Sequence, residues 1–169
     1  MGICKIIIKN YKSLKNVVLD VNKDDYEIQC LLGENGSGKS NFIDALKYYN
    51  DNLQNLDMES NDIFDKRNPN VQKVVIEIQY DLSGLYYNGA KYIDEKMSQL
   101  DPYRIGNKLF VRLTQYKNKK IEWSIKEIEI RKYIAKLFPI ILIDVRFIHL
   151  QEWSNLWDIM DYSQASRHI

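Results

Sequence analysis

The eight residues 33–40 constrain this chain of 169 residues more than any other part of its sequence. They read Gly-Glu-Asn-Gly-Ser-Gly-Lys-Ser, the pattern of a glycine-rich loop that binds phosphate groups where a strand passes into a helix. The context fits, because the mostly apolar run 28–32 precedes the loop and apolar residues recur at helical spacing after it. The sequence therefore predicts a strand, a phosphate-binding loop and a helix that together hold a nucleoside triphosphate.

Each residue type in this loop has a distinct role in holding phosphates. Glycines let backbone N–H groups turn toward phosphate oxygens, a lysine ammonium reaches the β- and γ-phosphates, and a serine hydroxyl coordinates Mg²⁺. The helix that begins near Lys39 also points its positive N-terminal end at the same phosphates. A nucleoside triphosphate, ATP or GTP, and Mg²⁺ are the predicted cofactors, with Lys39 as the catalytic cation and Ser40 as a metal ligand. The predicted nucleotide-binding residues are Asn35, Gly36, Ser37, Gly38, Lys39, Ser40 and Asn41.

Composition places the chain among globular proteins and gives no global electrostatic signal. Apolar residues make up 45% of the sequence, and 24 basic against 23 acidic residues give a net charge of +1. A net charge so close to zero does not favour nucleic acid or an anionic membrane as a partner, and no apolar stretch is long enough to span a bilayer. Cys4 and Cys30 lie in predicted strands without metal-ligand spacing, which favours buried free thiols and a cytoplasmic location.

Periodicity divides the chain into four segments of a single domain. Residues 3–50 contain three strands rich in β-branched residues, the loop and its helix. Residues 51–70 hold five asparagines and five acidic residues without periodicity, which predicts a long surface connection. Residues 71–130 alternate between apolar and polar positions and predict an antiparallel β-subdomain, and residues 131–169 predict a return strand and a helical tail.

Individual elements can be placed within these segments. The predicted elements are strands at 3–8, 17–21, 26–32 and 74–81, a short helix at 93–100, a hairpin of 109–116 and 121–130, a helix at 131–137 and a buried strand at 140–148. The helix after the loop is expected to pack on a sheet through Phe42, Ile43, Ala45, Leu46 and Tyr49. The hairpin has a basic tip at 117–120, which suits either contact with DNA phosphates or a solvated turn.

Two stretches near the start of the chain together resemble a known family. Residues 6–14 read Ile-Ile-Ile-Lys-Asn-Tyr-Lys-Ser-Leu, and residues 32–46 read Leu-Gly-Glu-Asn-Gly-Ser-Gly-Lys-Ser-Asn-Phe-Ile-Asp-Ala-Leu. This combination resembles the N-terminus of ABC-type AAA family ATPases of the SMC, RecF and OLD (overcoming lysogenization defect) group, which act in DNA repair and bacterial anti-phage defence. The resemblance implies an α/β fold, a P-loop NTPase of ABC-ATPase type with a mixed sheet and an antiparallel β-subdomain. Residues 1–169 would form an incomplete, N-terminal lobe of the ATP-binding domain.

The resemblance also implies partners. In that group two nucleotide-binding domains clamp two ATP molecules, and each ATP meets the phosphate loop of one subunit and a signature motif of the other. A homodimer or higher oligomer that forms through the nucleotide site is therefore expected, together with an effector such as a nuclease, a DNA contact and no membrane. Lys12 and Ser13 lie in the turn that the group places beside the nucleotide, so they are expected to touch its base, sugar or phosphate; a solvated β-turn is the alternative.

The chain departs from the family pattern at the motifs that support ATP hydrolysis. It contains no Leu-Ser-Gly-Gly-like signature, and Asp144 is followed by Val145 where the family has its catalytic glutamate. Asp144 is either a magnesium ligand or the last residue of a buried strand. Gln151 stands where the family places the glutamine that contacts magnesium and the attacking water, and a surface glutamine that opens a helix is the alternative.

Three functions are compatible with these features. The first is an ATP-binding lobe that dimerises on ATP and controls a DNA-acting or anti-phage effector, with weak or no hydrolysis by this chain because it lacks the signature motif. The second is a non-hydrolysing regulatory subunit whose nucleotide occupancy shifts an assembly equilibrium. The third is a small P-loop kinase, which the antiparallel insertion disfavours.

Overall fold

The structure is a computed structural model that describes residues 2–21, 34, 36–54, 58–83, 86–87, 91–92 and 95–141. Within these residues, a six-stranded antiparallel sheet and two α-helices form the main body. The predicted strand at 26–32 and most of the one at 140–148 lie outside the described residues. Ile141, at the start of the second, is 73% exposed.

Eleven elements follow one another along the described chain. They are β1 (Gly2–Tyr11), β2 (Leu14–Asp20), α1 (Lys39–Gln54), β3 (Lys73–Asp81), β4 (Tyr86–Tyr87), β5 (Lys91–Tyr92), a 3-10 helix (Glu95–Tyr103), β6 (Arg104–Ile105), β7 (Lys108–Tyr116), β8 (Ile121–Trp123) and α2 (Ile128–Leu137). The main sheet has the order β2-β1-β3-β7-β6, and β8 pairs with the opposite end of β7 from β6. Because β1 lies between β2 and β3, the strands predicted near the N-terminus and the predicted β-subdomain share one sheet.

The core lies between the sheet and the helices. Along β3, the apolar face predicted from the sequence is confirmed, since Val74, Ile76, Ile78 and Tyr80 are at most 2% exposed. The prediction of a half-buried strand holds only in part, because Glu77 and Asp81 on the alternate face are buried as well. Helix α1 faces this core with a stripe at spacings of three and four residues, formed by Phe42, Ala45 and Tyr49. The prediction that Ile43 packs on the sheet is wrong, because it lies about 100° round the helix from Phe42 and is 44% exposed.

The hairpin differs from its prediction in its second strand. β8 ends at Trp123 instead of residue 130, and α2 begins at Ile128 instead of residue 131. Just after β8, the Ser124 hydroxyl accepts a hydrogen bond from the Arg112 amide (2.9 Å), while the Ser124 amide still donates to the Arg112 carbonyl (2.9 Å). The alternating isoleucines at 128 and 130 suggested a strand, but α2 buries Arg131, Ile134 and Ala135 at helical spacing.

The segment predicted as a surface connection is anchored to the sheet. α1 continues to Gln54, and Ile63 is only 2% exposed. The buried side chain of Gln115 on β7 holds Ser60 from two sides, because its Nε2 donates to the Ser60 carbonyl (2.7 Å) and its Oε1 accepts from the Ser60 amide (3.3 Å). The Tyr48 hydroxyl donates to the same Oε1. These bonds connect residues that are distant in sequence, and composition alone did not reveal them.

Replacing Ile78 by alanine tests the central place of β3 in the core. Ile78 is fully buried, so its truncation should lower the free energy of unfolding by about 2–5 kcal/mol through lost burial and a residual cavity. Ile105→Ala is the matched control, because Ile105 is 76% exposed and its truncation should cost under about 0.5 kcal/mol. Urea unfolding of both variants measures the difference, and equal losses would contradict the assignment of β3 to the core.

Candidate nucleotide-binding site

The phosphate-loop motif leads directly into the N-terminus of α1. Gly36 and Gly38 have φ values of 83° and 99°, which side-chain-bearing residues rarely adopt, so the backbone path requires glycine at both positions. The first helical hydrogen bond runs from the Phe42 amide to the Gly38 carbonyl at 2.9 Å. Amides of the first turn precede this bond and face an anion-binding position at the helix end. Gly33 and Asn35 lie outside the described residues.

Lys39 and Ser40 occupy the first turn of α1. The Lys39 ammonium donates to the Glu34 carbonyl at 2.7 Å and to the Ser37 hydroxyl at 3.4 Å, so it lies across the loop. Ser40 is exposed, and the first turn contains no acidic residue that would repel an anion. An ammonium, helix amides and an exposed hydroxyl form a donor set that fits a triphosphate with Mg²⁺.

The turn between β1 and β2 lies against this loop, although some 25 residues of sequence separate them. The Asn41 side-chain amide donates to the Ser13 hydroxyl at 2.7 Å, and the Lys12 ammonium forms an ion pair with Asp44 at 2.7 Å. A methyl group placed on Gly38 would lie 2.9 Å from Leu14 Cδ2. The structure thus brings Lys12 and Ser13 to the phosphate loop, and their contact with a nucleotide stays a prediction.

A cavity of about 450 Å³ opens beside the same turn. Asn10 and residues 12–15 form one wall, and Asp65, Arg67, Asn68 and Val71 form the other. Asp65 accepts hydrogen bonds from the Arg67 amide (2.9 Å) and from Arg67 Nε (3.3 Å), and the amide bond is the main reason that the pKa of Asp65 is lowered. Sequence analysis missed this second wall, because the polar segment 51–70 has no periodicity that would distinguish it from a solvated connection.

The basic tip of the hairpin is held by acceptors within the chain. Lys117 Nζ donates to the Pro69 carbonyl (2.8 Å), Lys119 pairs with Glu59 (3.1 Å) and Lys120 pairs with Glu122 (2.6 Å). Two of these three bonds, those of Lys117 and Lys119, connect residues 58–72, called here the connection 58–72, to the hairpin tip. The geometry therefore favours a structural role for the tip over a dedicated DNA contact.

Other predicted site residues fall where the structure gives no description. Asp144 and Gln151 lie beyond residue 141, so their roles as metal ligands and the catalytic role of Gln151 stay predictions.

Cys4 is a free thiol and is half-buried, whereas Cys30 is outside the described residues. In the described part of the chain, no cluster of three His, Cys, Asp or Glu side chains is placed to hold a metal ion. No α-helix in that part has the length and apolarity needed to cross a bilayer.

Alanine at Gly38 tests the close approach between loop and turn. Gly36→Ala is the matched control, because both glycines have positive φ and both substitutions strain the backbone by about 1–2 kcal/mol. Only at Gly38 does the new methyl also meet Leu14 Cδ2 (2.9 Å) and Ser13 Oγ (3.3 Å), whereas no described atom lies within 4 Å at Gly36. Urea unfolding should show a loss about 1–3 kcal/mol larger for Gly38→Ala. Equal losses would mean that the turn does not pack on Gly38.

Similarity to known proteins identifies the family of this chain. The model of the AAA ATPase domain family matches residues 1–165. A solved structure from work on ATP-driven dimerization and DNA-stimulated activation of SMC ATPases matches with a TM-score of 0.59 and 17% identity, over 94% of this chain and 98% of that one. An SMC head bound to the C-winged helix domain of ScpA matches with a TM-score of 0.54 and 20% identity, over 80% of this chain and 40% of that one. The chain belongs to the AAA ATPase domain family and has the α/β fold of the SMC-like, ABC-type ATPase head.

Proposed function

We propose that this chain is an ATP-binding lobe that dimerises through its nucleotide site and controls a DNA-acting or anti-phage effector. The observation that carries the proposal is the convergence of three elements on one point: the glycine-rich loop, the N-terminus of α1 and the β1–β2 turn. Lys39 and Ser40 lie at the centre of this convergence. Membership of the AAA ATPase domain family supports nucleotide binding as the activity of the site.

In the proposed complex, each group at the loop has a defined task. Lys39 would exchange its acceptors Glu34 and Ser37 for phosphate oxygens. Ser40 would hold Mg²⁺ through its hydroxyl, and the ion would supply positive charge to the β- and γ-phosphates. Amides of residues 36–41 donate to the same oxygens. Asp144 and Gln151 are the proposed further metal ligands, on the family resemblance alone.

The cavity beside the turn receives the sugar and base. Lys12 and Ser13 belong to its lining and also contact α1, so they lie between the phosphate loop and the cavity. Its volume of about 450 Å³ is within the range of small-molecule sites. A nucleotide bound in this way would extend from the helix end along the turn to Asp65 and Arg67.

Assembly and turnover are proposed from the relatives. ATP-driven dimerization and DNA-stimulated activation are reported for SMC ATPases, and an SMC head binds the winged-helix domain of ScpA. By analogy, a second copy would close over the nucleotide, and that closure would be transmitted to a partner protein such as a nuclease in the cytoplasm. Hydrolysis would depend on a signature motif supplied in addition to the residues of this chain.

A regulatory subunit without turnover is the second candidate, and one sequence feature favours it. Val145 follows Asp144 at the position where ABC-type ATPases carry a catalytic glutamate. ATP occupancy would then only shift an assembly equilibrium. Turnover measured with and without a partner carrying a signature motif separates the two candidates, because the regulatory role requires that no hydrolysis appears in either condition.

Lys39→Ala tests nucleotide binding directly. Removing the ammonium deletes charge-assisted hydrogen bonds to phosphate worth about 2 kcal/mol, which corresponds to roughly 30-fold weaker ATP binding. Lys47→Ala is the control, because Lys47 is exposed further along α1 and its loss leaves the loop intact. Titration calorimetry with ATP and Mg²⁺ measures both variants. An absence of heat with the parent chain, or equal affinities for parent and Lys39→Ala, would refute the proposed function.

A further inference from the structure

Two side chains of α1 hold two adjacent residues of the β1–β2 turn. Asn41 and Asp44 lie one helical turn apart, so both project from the same face of α1. Asn41 donates to Ser13 at 2.7 Å and Asp44 pairs with Lys12 at 2.7 Å. Together they form a two-point contact, called here the turn latch, between the helix that starts the phosphate site and the turn beside it.

The turn requires such support because of its backbone. Lys12 has φ of 47° and Asn10 has φ of 60°, a left-handed conformation that residues other than glycine hold only where the surroundings fix it. The Lys12 amide donates to the Ile63 carbonyl at 2.7 Å, which fixes the backbone from the opposite side. The ion pair with Asp44 then fixes the direction of the Lys12 side chain.

We propose that Asp44 is a positioning residue of the nucleotide site, which holds the Lys12 ammonium beside the phosphate loop without itself contacting the nucleotide. The inference rests on the proposed function for the identity of the ligand. Asp44 is five residues beyond Lys39 and its side chain is 48% exposed, so as an isolated carboxylate it would repel a triphosphate. Paired with Lys12, its charge is compensated and it supplies an anchor for the cation.

The sign of the effect of Asp44→Asn distinguishes positioning from simple electrostatics. Removing a negative charge near a phosphate site tightens anion binding if charge alone matters. A positioning role gives the opposite result, because the Lys12 ammonium loses its anchor and samples other rotamers. The effect must also depend on Lys12, since without that ammonium the carboxylate has nothing to position.

Titration calorimetry with ATP and Mg²⁺ on the full chain provides the first test. Asp44→Asn should weaken ATP binding roughly fivefold, less than the full loss of a charge-assisted contact, because the Lys12 ammonium is released from its anchor and not removed. In a Lys12→Met background the same substitution should cause no further weakening. Asp20→Asn is the matched control, because it breaks the Lys5–Asp20 ion pair of 2.9 Å at the other end of the hairpin and should leave ATP affinity unchanged. Unchanged or tighter binding by Asp44→Asn, or equal weakening in both backgrounds, would overturn the proposal.

Hydrogen exchange without nucleotide provides the second test and does not depend on ATP binding. Amides of the turn, with Lys12 as the reporter, should exchange at least about fivefold faster in Asp44→Asn than in the parent or in Asp20→Asn. If the rates are the same, the latch does not hold the turn and the proposal fails even where ATP binds. If the parent chain binds no ATP while the exchange rates differ, the latch stands as a structural contact, and both the proposed function and the positioning role fail.

Discussion

The close approach of the β1–β2 turn to Gly38 is the contact on which the site depends. Gly38 combines a positive φ with a position where a Cβ would meet Leu14 and Ser13, so two separate constraints select glycine there. Because the turn follows the end of β1, and β1 lies inside the sheet between β2 and β3, the phosphate loop packs against a turn that extends from a strand paired on both sides. A loop that is already held in place loses less conformational entropy when a ligand binds.

The connection 58–72 links the turn at the candidate site to distant parts of the sheet. It bonds to the turn through the Lys12 amide and the Ile63 carbonyl, to β7 through Gln115 and Ser60, and to the hairpin tip through Lys117 and Pro69. These contacts run from the candidate nucleotide site to the far end of the β7–β8 hairpin. The same segment supplies one wall of the cavity, so its contacts with the sheet also hold that wall in place.

Sequence periodicity predicted the elements whose pattern is local. The strand 74–81 follows from alternation and the helix after the loop from helical spacing. The two N-terminal strands follow from their β-branched residues. The contacts that the sequence did not predict join distant positions, such as Lys12 with Asp44 and Ser60 with Gln115. A carboxylate three residues after Asn41 was visible in the sequence, but its partner is a lysine 32 residues away, and only the fold reveals that pairing.

Net charge was the least informative feature of the sequence, and the geometry explains why. Most of the described ion pairs lie on the surface, as at the hairpin tip, and the two charges of each pair cancel. The net charge of +1 therefore does not show where one sign of charge dominates locally. At the loop, by contrast, Lys39 adjoins a helix N-terminus whose first turn has no acidic residue. Under the proposed function, this local positive charge would act on a triphosphate over a few ångströms, where screening by salt is weakest. Phosphate recognition would then depend on one helix end and the turn beside it, and the overall charge could stay near zero.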